Sequence, residues 1–173
     1  MSAVTIRRVT EPTAALCRGL ADVLGDVVAG GASVGFLAPL APERAFAFWQ
    51  RVAAGVTAGQ RVLFVAEDTA GVCGTVQLLV DLPDNQPHRA DLAKMLVHRR
   101  ARRQGIATRL LAAAEAAARD LGRTLLVLDT VTGSDAARVY ERAGWRRVGD
   151  IPRYALWPDG RECATTYYYR DLR

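Results

Sequence analysis

The sequence contains few of the residues that bind metal ions or form disulfide frameworks. Its cysteines, Cys17, Cys73 and Cys163, are odd in number and too far apart for a zinc-binding pair or a disulfide framework, and there are only two histidines. No apolar run reaches the roughly 18 residues of a membrane-spanning helix. The N-terminus "MSAVTIRRVT" lacks the apolar core of a secretion signal. We therefore expect a cytoplasmic protein with no structural metal and no membrane contact.

Two common nucleotide-binding loops are also missing from the sequence. The phosphate loop G-x-x-x-x-G-K-[ST] does not occur. The segment "RRQGIAT" (102–108) lacks the second and third glycines of a dinucleotide-binding loop, which disfavours nicotinamide cofactors. The net charge of +5 and the pI near 9.6 favour an anionic partner, but nucleic acid, a membrane surface and a nucleotide all satisfy that condition.

Hydrophobic periodicity predicts a mixed α/β fold in one domain covering residues 1–173. Half of the residues are hydrophobic, which is enough for one sizeable core. Strands are predicted over 4–9, 61–67, 72–80, 89–97, 123–129, 145–151 and 163–172, and helices over 10–28, 42–56, 107–121 and 134–144. The resulting order of elements is β-α-α-β-β-β-α-β-α-β-β.

A basic segment containing a glycine lies between a predicted strand and a predicted helix. Arg99, Arg100, Arg102 and Arg103 fall in five positions and repel one another, so an anion lying against them would relieve that repulsion. A helix N-terminus adds unpaired backbone N–H groups and a positive dipole end, and Gly105 permits close approach of a ligand. The pattern predicts a phosphate-binding site. The alternative is a solvated face or a nucleic-acid-binding patch.

The segment "MLVHRRARRQGIA" resembles motif A of the GCN5-related N-acetyltransferase (GNAT) superfamily. Its pattern, [R/Q]-x-x-G-x-[G/A], is met by Arg102, Gly105 and Ala107. An apolar strand and "YERAGW" follow, and the latter resembles the superfamily's "Y-x-x-x-G-F" ending. The resemblance implies a GNAT fold, whose central mixed sheet is twisted, mostly antiparallel, of about seven strands, with helices on both faces.

Four short segments narrow this resemblance within the superfamily. "RRVT", "GGASVGF", "LDTVTGS" and "PDGR" together are similar to the tabtoxin-resistance acetyltransferases. Two positions depart from the pattern: Arg99 stands where a proline is common, and "GSD" replaces an asparagine often found before the tyrosine helix. Neither departure removes the backbone N–H groups expected to bind the coenzyme.

The resemblance implies an acetyltransferase that passes the acetyl group of acetyl-CoA directly to a primary amine. The coenzyme diphosphate is expected on the N–H groups of residues 103–108, and its 3′-phosphate near Arg99 or Arg100. The strand edge 95–97 is expected to pair with the pantetheine, and the Val97 N–H to donate to the thioester oxygen. The full set of expected coenzyme contacts is Met95, Leu96, Val97, Arg102, Arg103, Gln104, Gly105, Ile106, Ala107, Thr108, Ser134 and Tyr140.

The resemblance also assigns Tyr140 the role of general acid towards the coenzyme sulfur. A phenol with an ordinary pKa of about 10 is suited to protonating a thiolate. The alternative is that Tyr140 is a core aromatic at helical spacing with Val139.

Two carboxylates are candidates for the base that deprotonates the amine. Asp91 precedes Val97 by six positions, so alternation places both on one face of the strand. Six strand residues span about 20 Å, so Asp91 needs a bend, a bulge or a water relay to act there. Asp129 ends the strand "LLVLD", where ligands of α/β sheets usually bind. The alternatives are a capping role of Asp129 towards Thr130 and Thr132, and a surface carboxylate at Asp91.

The acceptor is expected to be a small-molecule amine, an antibiotic or toxin in view of the resemblance. The segment "GGASVGFLAPL" (30–40) is expected to form one wall of its site, and at least one of Tyr167, Tyr168 and Tyr169 to face outward. Three rivals stay open: acetylation of a protein N-terminus or lysine, a nucleic-acid-binding module built on "HRRARR", and a non-catalytic acyl-CoA sensor. We expect no nucleic-acid partner, and a monomer or a homodimer.

Overall fold

The computed structural model describes residues 4–173, in which seven β-strands and four α-helices follow the predicted order. The strands are β1 (Thr5–Val9), β2 (Arg61–Asp68), β3 (Gly71–Leu79), β4 (Arg89–Val97), β5 (Leu125–Val131), β6 (Arg146–Leu156) and β7 (Glu162–Asp171). The helices are α1 (Ala14–Ala29), α2 (Pro42–Thr57), α3 (Ile106–Asp120) and α4 (Asp135–Arg142). Residues 1–3 of the predicted domain lie outside the described part.

Local boundaries differ from the prediction in several places. Strand β6 extends to Leu156, five residues beyond its predicted end, β5 is shifted by two residues towards the C-terminus, and α4 is shorter than predicted. Helix α1 begins at Ala14 rather than at residue 10, because the Thr13 side chain caps it by accepting a hydrogen bond from the Leu16 N–H (3.1 Å). A short 3-10 helix, Arg99–Ala101, interrupts the segment after β4 and was not predicted.

All seven strands form one sheet in the order β1-β2-β3-β4-β5-β7-β6. Every neighbouring pair is antiparallel except β4 and β5, so the predicted mixed, mostly antiparallel sheet is confirmed. The parallel pairing ends at Asp91, opposite Val127. Beyond that point β4 continues against β3 and β5 continues against β7. The two strands therefore separate, and a gap opens between their carboxyl-terminal halves.

Helices cover both faces of the sheet, as predicted. On one face Leu63 and Leu96 pack with buried residues of α1 and α2, among them Leu24. On the other face Leu78 packs with residues of α3 and α4, among them Leu110. Within residues 4–173, no helix has the length and apolar character needed to cross a membrane.

A β-bulge interrupts β4 at Lys94. Gln77 lies opposite Ala93 and Thr75 lies opposite Leu96, so the β3 residue between them faces two residues of β4. Lys94 is one of those two and has a φ angle of +51°, in the left-handed region. The extra residue reverses the alternation of side chains along the rest of the strand.

The prediction that Asp91 and Val97 share one face of β4 is wrong for this reason. Leu92 and Val97, although five positions apart, both pack into the cluster on the α3 side. Asp91 alternates with Leu92 and therefore faces the side covered by α1 and α2. Without the bulge, six residues of strand would have kept Asp91 and Val97 together.

Candidate active site

The loop between β4 and α3 ends in a helix N-terminus that no described side chain caps. Gly105 is the N-cap residue of α3 with a φ angle of +72°, no side chain bonds to this end, and the first turn contains no acidic residue among the described positions. The first N–H groups of a helix have no partner within it. The side chain of Ile106 is buried in the core, whereas Gln104 and Thr108 are exposed. Residues 103–108, predicted to bind a diphosphate, lie at this uncapped N-terminus.

Arg99 and Arg100 are each paired with a carboxylate. Arg99 donates to Asp26 from its backbone N (2.8 Å) and from Nε (2.9 Å). Arg100 forms an ion pair with Asp68 and also donates to the carbonyl oxygen of Val72 (3.1 Å). These contacts attach the loop to α1 and to the β2–β3 hairpin, which makes both guanidinium groups less available to the predicted 3′-phosphate.

Arg102 and Arg103 are the loop cations that have no acidic partner among residues 4–173. Arg102 Nε donates a long hydrogen bond to the Val97 carbonyl oxygen (3.4 Å). Arg103 has a φ angle of +62° and forms no hydrogen bond or ion pair with any of residues 4–173. Both residues are exposed beside the N-terminus of α3. They are therefore free to add charge-assisted hydrogen bonds to an anion bound there.

The backbone of Val97 is directed into the gap between β4 and β5. The His98 N–H donates to the Cys73 carbonyl oxygen (2.9 Å), which makes that pair a hydrogen-bonded one. Antiparallel pairs alternate, so the next pair, Gly74 and Val97, is not hydrogen-bonded and the Val97 N–H points away from β3. By the same alternation the Leu96 N–H points at β3. Of the predicted strand edge, Val97 has the amide that faces the gap.

Asp129 lies on the face covered by α1 and α2, across from a pair of tyrosines. Its Oδ2 accepts a hydrogen bond from Thr165 Oγ1 (2.8 Å), and Tyr167 is its register partner on β7. The hydroxyl groups of Tyr167 and Tyr154 are 2.9 Å apart. That hydrogen bond, together with burial and the negative charge of Asp129, raises the pKa of Tyr167 to about 12. Tyr167 therefore stays neutral at physiological pH.

Asp129 does not cap the turn that follows it, which was the alternative to its role as a base. Its side chain bonds to Thr165 of the neighbouring strand and not to Thr130 or Thr132 in the following turn. Asp129 is exposed, and no cation lies within ion-pair distance of it among residues 4–173. Its second carboxylate oxygen is thus free to accept a proton or an ammonium hydrogen bond.

Asp91, the other predicted base, is already paired. Arg89 Nη1 donates to Asp91 Oδ1 at 2.5 Å, and the same arginine bonds to Gln86. Asp91 and Asp129 are on the same face of the sheet, and both negative charges contribute to the raised pKa of Tyr167. The bond to Arg89 occupies one oxygen of Asp91, so this carboxylate is less available to a ligand than that of Asp129. Asp129 is therefore the stronger candidate for the base.

Tyr140 and Ser134 lie on and before α4. Ser134 is the N-cap residue of this helix and accepts a hydrogen bond from the Ala137 N–H (3.2 Å). The Tyr140 ring is buried and packs against Trp145 (5.7 Å between ring centroids) and Tyr168 (6.3 Å). Burial, and secondarily the charge of Asp129, raise the pKa of the Tyr140 phenol well above its usual value. The ring belongs to the core, and its hydroxyl group stays protonated and able to donate.

The segment between α1 and α2 is bonded to the hairpin between β6 and β7. Ser33 Oγ donates to the Leu156 carbonyl oxygen (2.6 Å), and the Ala38 N–H donates to the Pro158 carbonyl oxygen (3.0 Å). Further along, Gly35 lies next to the Lys94 ammonium group, which is 3.6 Å from the place where a Cβ on Gly35 would be. The predicted wall segment 30–40 therefore extends from the β6–β7 hairpin to the bulge in β4.

Two polar residues of this face, Tyr154 and Lys94, were not predicted from the sequence. The sequence around Tyr154 does not indicate which face its side chain occupies, because Tyr154 lies on an irregular part of β6. Lys94 does give a signal: it is the single lysine in a sequence with 22 arginines. Of the three consecutive tyrosines, Tyr167 faces this side, whereas Tyr168 is buried on the other side and donates to Glu141 (2.7 Å). No group of histidine, cysteine or acidic side chains in the described residues could hold a metal ion.

Comparison with known proteins finds a matching protein family and a similar curated protein. The family described as acetyltransferase (GNAT) domain matches residues 59–147. A curated protein of Azospirillum brasilense, an uncharacterized N-acetyltransferase in the hisH-hisA intergenic region, is 33% identical over 168 residues, which cover 92% of this chain and 98% of that protein.

Two solved structures share the fold over nearly the whole chain. An N-acetyltransferase from Staphylococcus aureus Mu50 has a TM-score of 0.81 at 17% identity and covers 99% of this chain and 100% of its own. The yncA acetyltransferase of Salmonella typhimurium, solved with its cofactor acetyl-CoA, has a TM-score of 0.79 at 19% identity and covers 99% of this chain and 95% of its own. At these identities the two structures establish the fold.

Proposed function

Because this chain belongs to the acetyltransferase (GNAT) family and is an acetyl-CoA-dependent N-acetyltransferase, we propose that its acceptor is the primary amine of a small molecule. The observation that carries acetyl transfer at this site is the gap between β4 and β5, which opens after Asp91 beside the uncapped N-terminus of α3. The observation that favours a small acceptor is the pair of hydrogen bonds by which Ser33 and Ala38 join the α1–α2 segment to the β6–β7 hairpin. Acetyl-CoA needs the gap for its thioester and the nearby helix N-terminus for its diphosphate. Acetyl-CoA supplies the activated acyl group, and the protein residues bind, orient and move protons.

The chain's own groups fit the coenzyme at both ends of the gap. The N–H groups of residues 103–108 and the helix dipole suit the diphosphate, and Arg102 and Arg103 add positive charge. The Val97 N–H points into the gap and suits the carbonyl oxygen of the thioester, where it stabilises developing negative charge. Ser134 and Met95 remain proposed contacts of the coenzyme.

Proton movement in the proposed reaction involves two side chains. An alkyl ammonium must lose a proton before its nitrogen can attack, and Asp129 accepts that proton directly or through water. Asp91 is the proposed substitute if Asp129 does not act. A C–N bond forms, the C–S bond breaks, and the electron pair leaves on sulfur. Tyr140, which burial keeps protonated, donates the proton that the thiolate needs. The second proton, which the attacking nitrogen loses as the amide forms, restores the Tyr140 phenol.

A small acceptor is supported by the bonds that close one end of the acceptor face. Ser33 and Ala38 join the α1–α2 segment to the β6–β7 hairpin, and an extended peptide passing between these two elements would have to break those bonds. The similarity of four short segments to the tabtoxin-resistance acetyltransferases supports a toxin or antibiotic as the acceptor. We also propose that residues 1–173 form one N-acetyltransferase domain that works in the cytoplasm, as a monomer or a homodimer.

The experiment that tests this proposal combines calorimetry with acetylation assays. Titration with acetyl-CoA is expected to release heat and to show one site per chain. Thiol release is then measured with a panel of small amines, N-terminal peptides and lysine peptides, and small amines are expected to be the better substrates. Preferred acetylation of peptides would favour the protein acetyltransferase. Binding without turnover on any amine would favour the acyl-CoA sensor.

A nucleic-acid-binding role is tested separately. The paired arginines at 99 and 100 leave fewer free cations than "HRRARR" suggests, because both side chains are engaged with carboxylates. Binding of DNA or RNA would fall steeply with salt and would be displaced by coenzyme A if both used this loop. We expect no salt-dependent retention of nucleic acid at physiological ionic strength.

A further inference from the structure

We propose that Lys94 binds an anionic group of the acceptor, so that the acceptor is a zwitterion of the amino-acid type with its amine near Asp129 and its carboxylate on the Lys94 ammonium. The inference rests on the proposed function, because it assigns the substrate class of the same site. It adds a specificity-determining residue that neither the family match nor the coenzyme site requires.

The bulge in β4 fixes where the Lys94 side chain lies. A non-glycine residue with positive φ is strained and persists only where the surrounding structure enforces it. The side chain extends towards the α1–α2 side of the sheet, where its Nζ is 5.6 Å from the centroid of the Phe48 ring and close to Gly35. Asp91 and Asp129 lie on this same side. Lys94 therefore contributes its charge to the proposed acceptor face and not to the coenzyme loop.

The Lys94 ammonium has no carboxylate partner in the described part of the chain. No acidic oxygen of the described residues lies within ion-pair distance, and the ammonium group lies over the aromatic face of Phe48. The residue is half-buried, and burial lowers its pKa, while the charge of Asp129 opposes that shift and Arg61 adds to it. A half-buried cation without an anion is unfavourable, because the aromatic face of Phe48 compensates only part of its desolvation. A carboxylate brought by a ligand would supply the missing partner.

Asp129 and Lys94 together present two opposite charges that are near each other but not paired. Their charges interact, yet the two groups are not within ion-pair distance. Had the lysine served only to neutralise the aspartate, a direct contact would be the lower-energy arrangement. Two separated charges of opposite sign match a molecule that carries an ammonium and a carboxylate at a fixed distance. A simple amine would leave Lys94 unpaired.

Position 94 is also unusual in having a lysine where the other strongly basic positions of the sequence have arginine. Every other strongly basic side chain of the sequence is an arginine, 22 in all, including those that form ion pairs with Asp26 and Asp68. A lysine ammonium is a compact point charge on a flexible stem, whereas a guanidinium is a broad planar fork. The compact group fits beside Gly35 and the Phe48 ring and still presents its hydrogens to a ligand.

The test compares pairs of acceptors that differ only in the carboxylate. The ratio of kcat/KM for each amino acid to that for its methyl ester is measured at saturating acetyl-CoA in the wild type, Lys94→Met and Lys94→Arg. Comparing ratios between enzymes cancels the intrinsic reactivity of each amine. The ratio is expected to fall at least about tenfold in Lys94→Met, the size of a lost charge-assisted hydrogen bond, with Lys94→Arg intermediate. Arg119→Met, which removes an exposed charge at the far end of α3, is the control and should keep the wild-type ratio.

A binding measurement keeps the inference testable without turnover. Lysine-labelled protein gives a single side-chain ammonium signal in NMR spectra, since Lys94 is the only lysine. With coenzyme A bound, amino acids are expected to shift that signal and their methyl esters are not. An unchanged ratio in Lys94→Met, or an NMR signal that no carboxylate shifts, overturns the inference while leaving acetylation of amines intact. Absence of acetylation on every amine, with the NMR shift present, overturns the proposed function instead.

Discussion

The carboxylate of Asp26 on α1 accepts two hydrogen bonds from Arg99, one from the backbone N at 2.8 Å and one from Nε at 2.9 Å. The two residues are 73 positions apart in the chain. Arg99 begins the loop that carries the proposed diphosphate site, and α1 leads into the segment over the acceptor face. This one contact therefore connects the coenzyme side of the site to the acceptor side.

Replacing Asp26 with asparagine should destabilise the protein in a pH-dependent way. Burial alone would raise the Asp26 pKa, but the hydrogen bonds from Arg99 outweigh it and hold the pKa below its usual value. The stabilisation is therefore full above the ordinary aspartate pKa of about 3.9 and is lost as the pH falls through the lowered value. We expect Asp26→Asn to lower the free energy of unfolding by about 1 to 2 kcal/mol at pH 7. Urea unfolding of both proteins should show that difference shrinking below pH 4; a constant difference would contradict the assignment.

Replacing Gly105 with alanine should weaken coenzyme binding as well as stability. Gly105 has a φ angle of +72°, and a Cβ there would contact nothing within 4 Å, so the cost is backbone strain of about 1 to 2 kcal/mol. Gly122→Ala at the other end of α3 is a matched control, with a φ angle of +69° and equally open surroundings. Both variants should unfold at lower urea concentration, and calorimetry should show a weaker affinity for acetyl-CoA in Gly105→Ala alone. Equal affinities of the two variants for acetyl-CoA would contradict the assignment of the diphosphate site to this loop.

Replacing Tyr140 with phenylalanine should slow turnover. The change removes the proton donor to sulfur and keeps the ring that packs against Trp145, so kcat is expected to fall about 100-fold. Tyr168→Phe is the control, because its ring packs beside that of Tyr140 but its hydroxyl group bonds to Glu141. Steady-state kinetics should show normal turnover in that control. Since burial raises the pKa of Tyr140, its deprotonation should not limit kcat up to pH 9. Unchanged kcat in Tyr140→Phe would end the general-acid role.

Replacing Asp129 with asparagine should remove the proposed base, whereas Asp91→Asn should have little effect. Asp129 has a free carboxylate oxygen beside its bond to Thr165, while Asp91 is paired with Arg89. We expect kcat/KM for the amine to fall about 100-fold in Asp129→Asn, with the remaining activity rising with pH as free amine accumulates. pH–rate profiles of both variants are the measurement. A larger loss of kcat/KM in Asp91→Asn than in Asp129→Asn would show that Asp91, and not Asp129, is the base.

Most of the fold was predictable because its signals are local. The alternation along β4 gave the bounds Arg89–Val97, and helical spacing gave α2 and α3 within one residue at each end. These signals arise from which side chains face the core over a few neighbouring residues, and the sequence displays that directly. The basic segment ending in Gly105 likewise predicted a helix N-terminus with free N–H groups, because strand, glycine and helix follow one another in the chain.

The composition of the acceptor face was decided by tertiary structure. The bulge at Lys94 moved Asp91 to the face opposite Val97, and it arises from pairing with β3 and not from a glycine in the sequence. The pairing of β5 with β7 placed Tyr167 beside Asp129. The sequence by itself determined the order of elements and the anion-binding loop, because periodicity and helix termini depend on adjacent residues. Strand register and long-range ion pairs join residues far apart in the chain, so only the folded structure decided which charges of the site are paired and which are free.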